Sequence, residues 1–233
     1  MRCIKAATAC ATLCAVTSLP VHADEVDGVP ANTFRLGLYE VMYHVSSTDI
    51  SGPFTPAGLS TDTRDLSTLY VGYVRKLSTH WVAELALAIP PLSKTTGVGP
   101  ATVGSVPYND QVIAKVRWLA PTALAEYQFF DDSSAWRPYI GVGVNYTTFY
   151  DRSSTLAGNE ASGGPTRISL TSSVGPAGTI GIVWHPTRHL EINGSYSAAM
   201  VNSRMTTDTA GVIRTAKIHF NPTPFVLSVG YSF

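Results

Sequence analysis

Hydrophobic and polar positions near the end of the chain change places at every residue. Phe225, Leu227, Val229, Tyr231 and Phe233 fall on one face of an extended chain, and Val226, Ser228, Gly230 and Ser232 on the other. That period of two marks a strand with one apolar face. It runs again through residues 137–151, where Ile140, Val142, Val144 and Tyr146 oppose Gly141, Gly143, Asn145 and Thr147. Residues 81–90 repeat it, with Trp81, Leu85, Leu87 and Ile89 against Val82, Glu84, Ala86 and Ala88. Followed along the chain, the pattern predicts eight strands, at 34–44, 65–76, 81–92, 112–129, 136–151, 167–185, 189–201 and 215–233.

The predicted connections alternate in length. Those at 77–80, 130–135 and 186–188 are short, whereas 45–64, 93–111, 152–166 and 202–214 are long and rich in Ser, Thr, Gly and Pro. Such alternation fits an all-β fold, an eight-stranded antiparallel transmembrane β-barrel with short periplasmic turns, four longer extracellular loops and both termini in the periplasm. Composition points the same way: the chain is 45% hydrophobic and only 14% charged, against roughly 25% charged in a soluble domain. No apolar run after residue 23 approaches the roughly 20 residues of a membrane helix. A bilayer then leaves only a closed barrel, because every backbone N–H and C=O must be paired internally.

Residues 1–23 read as a secretory signal peptide: Arg2 and Lys5, an apolar run from Ala6 to Leu19, and Ala23 before the acidic Asp24. A single barrel domain at 24–233 would follow. Cys3, Cys10 and Cys14 all fall within the leader, so the mature chain would hold no thiol, and Thr12 and Leu13 before Cys14 suit a lipoprotein poorly. Removing two of 16 basic residues and none of 16 acidic ones leaves 14 − 16 = −2. That balance gives no footprint for nucleic acid.

Prolines mark a common height. Pro90, Pro121, Pro176 and Pro224 each lie eight or nine residues from the expected periplasmic end of their strand, about 21 to 23 Å at roughly 3.4 Å per residue and 40° of tilt. Pro cannot donate to a strand ladder. Either the sheet frays at that rim, or the missing donors let strands part near Pro90 and Pro121 and open a lateral exit from lumen to lipid. Trp81, Trp136, Trp184, Phe129, Tyr231 and Phe233 gather by the short turns, and Tyr43, Tyr146 and Tyr150 by the long loops, as interfacial belts require. On the first strand Glu40 shares the face of Phe34, Leu36, Leu38 and Met42, which implies either a bulge or an inverted face.

The segments WVAELALAIP (81–90), PTALAEYQF (121–129), RPYIGVGVNYTTFYD (137–151) and PFVLSVGYSF (224–233) resemble the OmpW family of small outer-membrane channels. The resemblance covers most of the mature chain in order, and residues 137–151 are its most specific part. It implies an eight-stranded barrel with a narrow apolar lumen that passes small hydrophobic molecules and releases them sideways into lipid. In the family an apolar residue on the second strand and another on the sixth narrow the lumen; by position these are Leu69 and Val174, with Val71 as further lumen lining. Val174 departs from relatives that carry a large aromatic. Alternation from Ile180, Ile182 and Trp184 turns it to lipid unless the strand bulges near Gly175 and Pro176.

Polar residues add little chemistry. Glu84 and Glu126 are expected to point into the lumen, with Arg137 and Glu191 lower down, as a polar plug that pairs carboxylates with Arg. His44 and His219 meet the outer rim near Ser46, Ser47 and Asp49, the residue types of a nucleophile, base and orienter and so of a lipid A-modifying enzyme. Outer loops are rich in such residues, and His80, His185 and His189 belong to periplasmic turns. The chain is therefore read as a non-enzyme without cofactor or metal, with outer-membrane lipid, lipopolysaccharide and small hydrophobic solutes as partners. A structural or adhesive barrel without transport is the alternative, because side chains alone can fill an eight-stranded lumen.

Overall fold

A computed structural model describes residues 25–26, 28–103 and 106–233. The expected signal peptide and its cleavage site lie outside the described residues. Eight strands close into one antiparallel barrel: β1 (Asn32–Tyr43), β2 (Leu66–Lys76), β3 (Trp81–Ala88), β4 (Thr122–Gln128), β5 (Trp136–Ser154), β6 (Ser173–Trp184), β7 (Leu190–Ala199) and β8 (Pro222–Ser232). Each pairs with its sequence neighbours, and β8 pairs with β1 from Ser232↔Thr33 to Pro222↔Tyr43, which removes both sheet edges.

The period of two becomes an inside and an outside. Phe34, Leu36 and Leu38 on β1 point out and are more than half exposed, whereas Arg35 between them is buried. Val142, Val144, Ile180, Leu227 and Val229 continue this exposed apolar belt on other strands. An apolar patch of that extent is untenable in water and matches the hydrocarbon of a bilayer. Aromatic rings close its periplasmic margin: Trp136 stacks on Trp184 at 5.3 Å, Phe34 on Phe233 at 5.6 Å, and Trp81 meets Tyr127 edge-on at 5.3 Å. Glu40 is an outward residue with no bulge. It pairs in register with Ser67 and Phe225, and its carboxylate accepts a 2.6 Å hydrogen bond from the Ser67 hydroxyl.

The structure departs from the sequence expectations above the belt. The expected strands 81–92, 112–129, 167–185 and 215–233 are each broken, with the barrel segment separate from an outer one: Leu92–Val98, Val112–Leu119, Thr166–Leu170 and Val212–His219. Residues 202–214, expected as a loop, form most of a hairpin between Asn202–Thr209 and Val212–His219. Ser60–Thr63, Leu92–Val98 and Val112–Leu119 extend the sheet from the upper part of β5, and Thr166–Leu170, Asn202–Thr209, Val212–His219 and Ser46–Ser47 form a second sheet. Together they build an outer tier on the barrel. A short helix, α1 (Leu156–Ser162), interrupts the loop expected at 152–166; the Thr155 hydroxyl caps it by accepting from Gly158 N at 3.1 Å. Tyr43, expected at the outer belt, instead turns inward, its ring 6.4 Å from that of Phe220.

Candidate functional site: a floored lumen

Inward positions of the lower barrel carry a buried polar network centred on Arg35. Its Nη1 donates to Glu84 Oε2 at 2.7 Å and its Nε to Glu191 Oε1 at 2.5 Å. The Tyr70 hydroxyl donates to Glu84 Oε1, and the Tyr139 hydroxyl to Asn193 Oδ1 at 2.9 Å. Both rings lie in the lumen because the neighbouring strand positions are glycines. A Cβ on Gly181 would stand 2.5 Å from Tyr139 Cζ, and one on Gly72 would strike the Tyr70 ring. Glu126 is fully buried at this level, and neither of its carboxylate oxygens has a hydrogen-bond partner. Buried charges are tolerated when paired and costly when not, so Arg35 is the residue on which the floor depends.

Arg35 was not among the expected plug residues, and Arg137 was. The structure places Arg137 below the floor, where it binds Asp132 Oδ1 at 2.7 Å and the carbonyls of Phe130 and Thr79. Lys76 bonds the other oxygen of Asp132 at 2.6 Å, so this second cluster ties the periplasmic turns together. Glu84 and Glu191 meet at Arg35, and Glu126 lies beside them without joining the bonds. The signal that could have found Arg35 was its alternation with Phe34, Leu36 and Leu38, which the ambiguous Glu40 obscured.

The expected constriction is corrected. Leu69 is 47% and Val174 70% exposed, and both face outward; Val71 shares the outward face of Leu69. On β2 both faces carry large side chains, so size alone does not set the parity. Tyr70 takes the inside because its hydroxyl can reach Glu84, and the purely apolar Leu69, in register with Leu38, takes the lipid side. No bulge turns Val174: β6 pairs with β5 without a shift from Trp184↔Trp136 to Ser173↔Thr147. Tyr39, Tyr70 and Tyr139 narrow the lumen instead, with the rings of Tyr39 and Tyr70 stacked at 6.4 Å.

Above the tyrosines the lumen widens into a chamber of about 1020 Å³ including its open mouth. Val41, Val116, Trp118, Phe149, Val201 and Phe220 give it an apolar wall. A second chamber of about 870 Å³, again including its mouth, lies in the outer tier among Ile50, Leu59, Ile113, Ile168 and Met205. Val116, Leu170 and Phe220 line both, and Phe220 is wedged between them, 5.5 Å from the ring of Phe149. Tyr108 also borders the outer chamber, where burial pushes its phenol up to about 12.

The chamber wall is irregular at the predicted prolines. β3 and β4 pair up to Ala86↔Thr122, and pairing resumes only at Leu92↔Arg117; among the described residues no ladder pair joins 87–91 to 118–121. Pro90 and Pro121 both lie in this gap. The Arg117 guanidinium reaches across it to the Pro90 carbonyl at 3.1 Å, and Pro121 keeps its other side bonded through Tyr146 N at 2.9 Å. Pro176 and Pro224 each keep one continuous ladder, to β5 and to β1, but on their other sides the β6–β7 and β7–β8 ladders end beside them, at Ala177↔Ala199 and Tyr196↔Phe225.

Of the residues weighed for hydrolysis, Ser46 and His219 stand in register on adjacent strands, but the histidines, Asp49 and Ser47 bond other groups. His44 contacts the Thr223 hydroxyl at 3.4 Å, His219 contacts Asn202 Oδ1 at 2.5 Å, and Asp49 accepts from Gly58 N at 3.0 Å. The Ser47 hydroxyl donates to the Thr61 carbonyl at 3.2 Å.

The sequence model of the OmpW family matches residues 33–233. The chain is similar to outer membrane protein W of Vibrio cholerae, 29% identical over 224 residues and covering 96% of each chain. It is 32% identical over 146 residues to outer membrane protein W of Escherichia coli, covering 60% of this chain and 68% of that one. Among solved structures, the outer membrane protein OprG of Pseudomonas aeruginosa superposes with a TM-score of 0.78 at 23% identity, over 88% of this chain and 97% of the other. At that identity the likeness speaks for the fold.

Proposed function

The chain belongs to the OmpW family and resides in the bacterial outer membrane, and on that premise we propose that it passes small hydrophobic molecules from the outside into the bilayer. The observation that carries this proposal is an apolar chamber standing directly on a buried ionic floor. A hydrocarbon entering the outer tier gains apolar contact at each step, about 25 cal/mol for each Å² removed from water. It cannot continue to the periplasm without displacing Arg35 from Glu84 and Glu191, because an apolar molecule offers those groups no hydrogen bond. The low-cost way out is through the side wall, and the unpaired stretch at Pro90 and Pro121 is one place where the wall has no ladder to break. Ions meet the reverse situation: apolar walls give them no partners, so conductance is small.

Uptake of a hydrophobic compound by cells lacking other routes tests the proposal. Cells with the native protein should take it up faster than cells without. Val116→Asp, which places a carboxylate between the two chambers, should abolish the difference while the barrel still inserts. Equal uptake with and without the native protein would reject transport in favour of a structural barrel.

A further inference from the structure

The outer tier carries two pairs of like charges set directly opposite one another. Lys94 on Leu92–Val98 is in register with Lys115 on Val112–Leu119, and Arg204 on Asn202–Thr209 with Lys217 on Val212–His219. All four side chains are exposed and alternate with buried inward neighbours such as Ser93, Val116, Met205 and Ile218. Among the described residues none of the four side chains has a hydrogen-bond or ion-pair partner. Elsewhere in the molecule Arg35, Lys76, Arg117 and Arg137 each pair with a carboxylate. Like charges directly opposite across two strands have Cβ atoms only about 5 Å apart and destabilise the pairing unless something anionic sits between them.

Height tells what that anion is. Lys94 lies two residues beyond the exposed, lipid-facing Leu92, and Arg204 four residues beyond the exposed Met200. At roughly 3.4 Å per residue and 40° of tilt these are about 5 and 10 Å above the apolar belt, within the headgroup layer rather than out in solvent. The pairs occupy different sheets of the tier, on opposite sides of the molecule. We propose that each pair is a binding site for a phosphate group of the phosphorylated glycolipid in the outer leaflet. One phosphate, with three acceptor oxygens and up to two negative charges, can accept from both cations of a pair at once and turn repulsion into two charge-assisted hydrogen bonds. Bound lipid would then fasten the outer tier to the membrane surface on two sides.

The test uses the full-length folded barrel in phosphatidylcholine nanodiscs, titrated with bis-phosphorylated lipid A, with lipid A stripped of both phosphates, or with inorganic phosphate. Retained lipid is read by native mass spectrometry. The native protein should hold the phosphorylated form and release the stripped one, and millimolar inorganic phosphate should not displace it. Lys94→Gln with Lys115→Gln, or Arg204→Gln with Lys217→Gln, should each weaken binding of the phosphorylated form by about 30-fold, the effect of two cations beside an anionic membrane surface. Heat-modifiable gel mobility verifies that each variant is folded. The two lipid forms binding the native protein equally would overturn the proposal, a comparison that needs no variant. So would undiminished binding by the folded double variants, or displacement by inorganic phosphate, which would make these plain anion sites.

Discussion

Replacing Arg35 by Met keeps the length and apolar stem of the side chain while removing its charge. The guanidinium is fully buried and holds Glu84 at 2.7 Å and Glu191 at 2.5 Å. Without it two carboxylates face the same closed space, with Glu126 beside them and already lacking partners. Removing one partner from a buried ion pair costs about 3 to 5 kcal/mol, because the penalty is that of stranded charge rather than of lost attraction. Arg35→Met should therefore lower the unfolding free energy in lipid vesicles by about that amount, read from urea titration of tryptophan fluorescence. The triple variant with Glu84→Gln and Glu191→Gln should recover most of the loss, since neutral amides are cheaper to bury and can bond each other. A second readout is conductance: water drawn to the stranded carboxylates opens the floor to cations, so planar-bilayer current should rise in Arg35→Met and fall again in the triple variant. An Arg35→Met barrel within about 1 kcal/mol of the native one, on the scale of a surface pair, with unchanged conductance would refute the view that this network is the floor of the lumen.

Truncating Phe220 to Ala removes the partition between the two chambers; uptake of bulky hydrophobic compounds should rise, at a stability cost of about 3 kcal/mol or more for a buried Phe. Unchanged uptake with the cost present would show that Phe220 does not control passage. Deleting Phe233 removes both its ring stack on Phe34 and its paired backbone bonds with Asn32 at 2.8 and 3.2 Å, so insertion, read by heat-modifiable mobility, should suffer more than from shortening any outer loop. Pro121→Val with Pro90→Val supplies N–H donors and β-branched side chains to the gap between β3 and β4. Uptake should fall by tenfold or more while folding stability holds or rises, and unaltered uptake would place the exit elsewhere.

Much of this was legible along the chain because a lipid-facing barrel imposes one simple rule. Alternating faces, short turns and an aromatic terminus each follow from pairing every backbone group in a medium without water, and residues such as Leu227, Val229 and Tyr231 obey that rule individually. The family resemblance and the proline heights were likewise present in the linear order. What failed were positions where the rule is indifferent. Leu69 and Tyr70 are both large enough for either face, and only the hydroxyl bond to Glu84, 14 residues away, decides between them. Arg35 finds Glu191 across 156 residues, a partnership that exists only once β1 and β7 are brought to one floor. The outer tier escaped for a related reason: its strands are polar outside and apolar inside over short stretches, which resemble loops until the two sheets close over a shared chamber. Sequence determined the alternation, and with it the membrane, the strand number and the belt, since these depend on neighbours one and two residues apart. Tertiary structure alone decided which polar groups meet inside, where the lumen narrows and which cations stand opposed, because each depends on the register of strands distant in the chain.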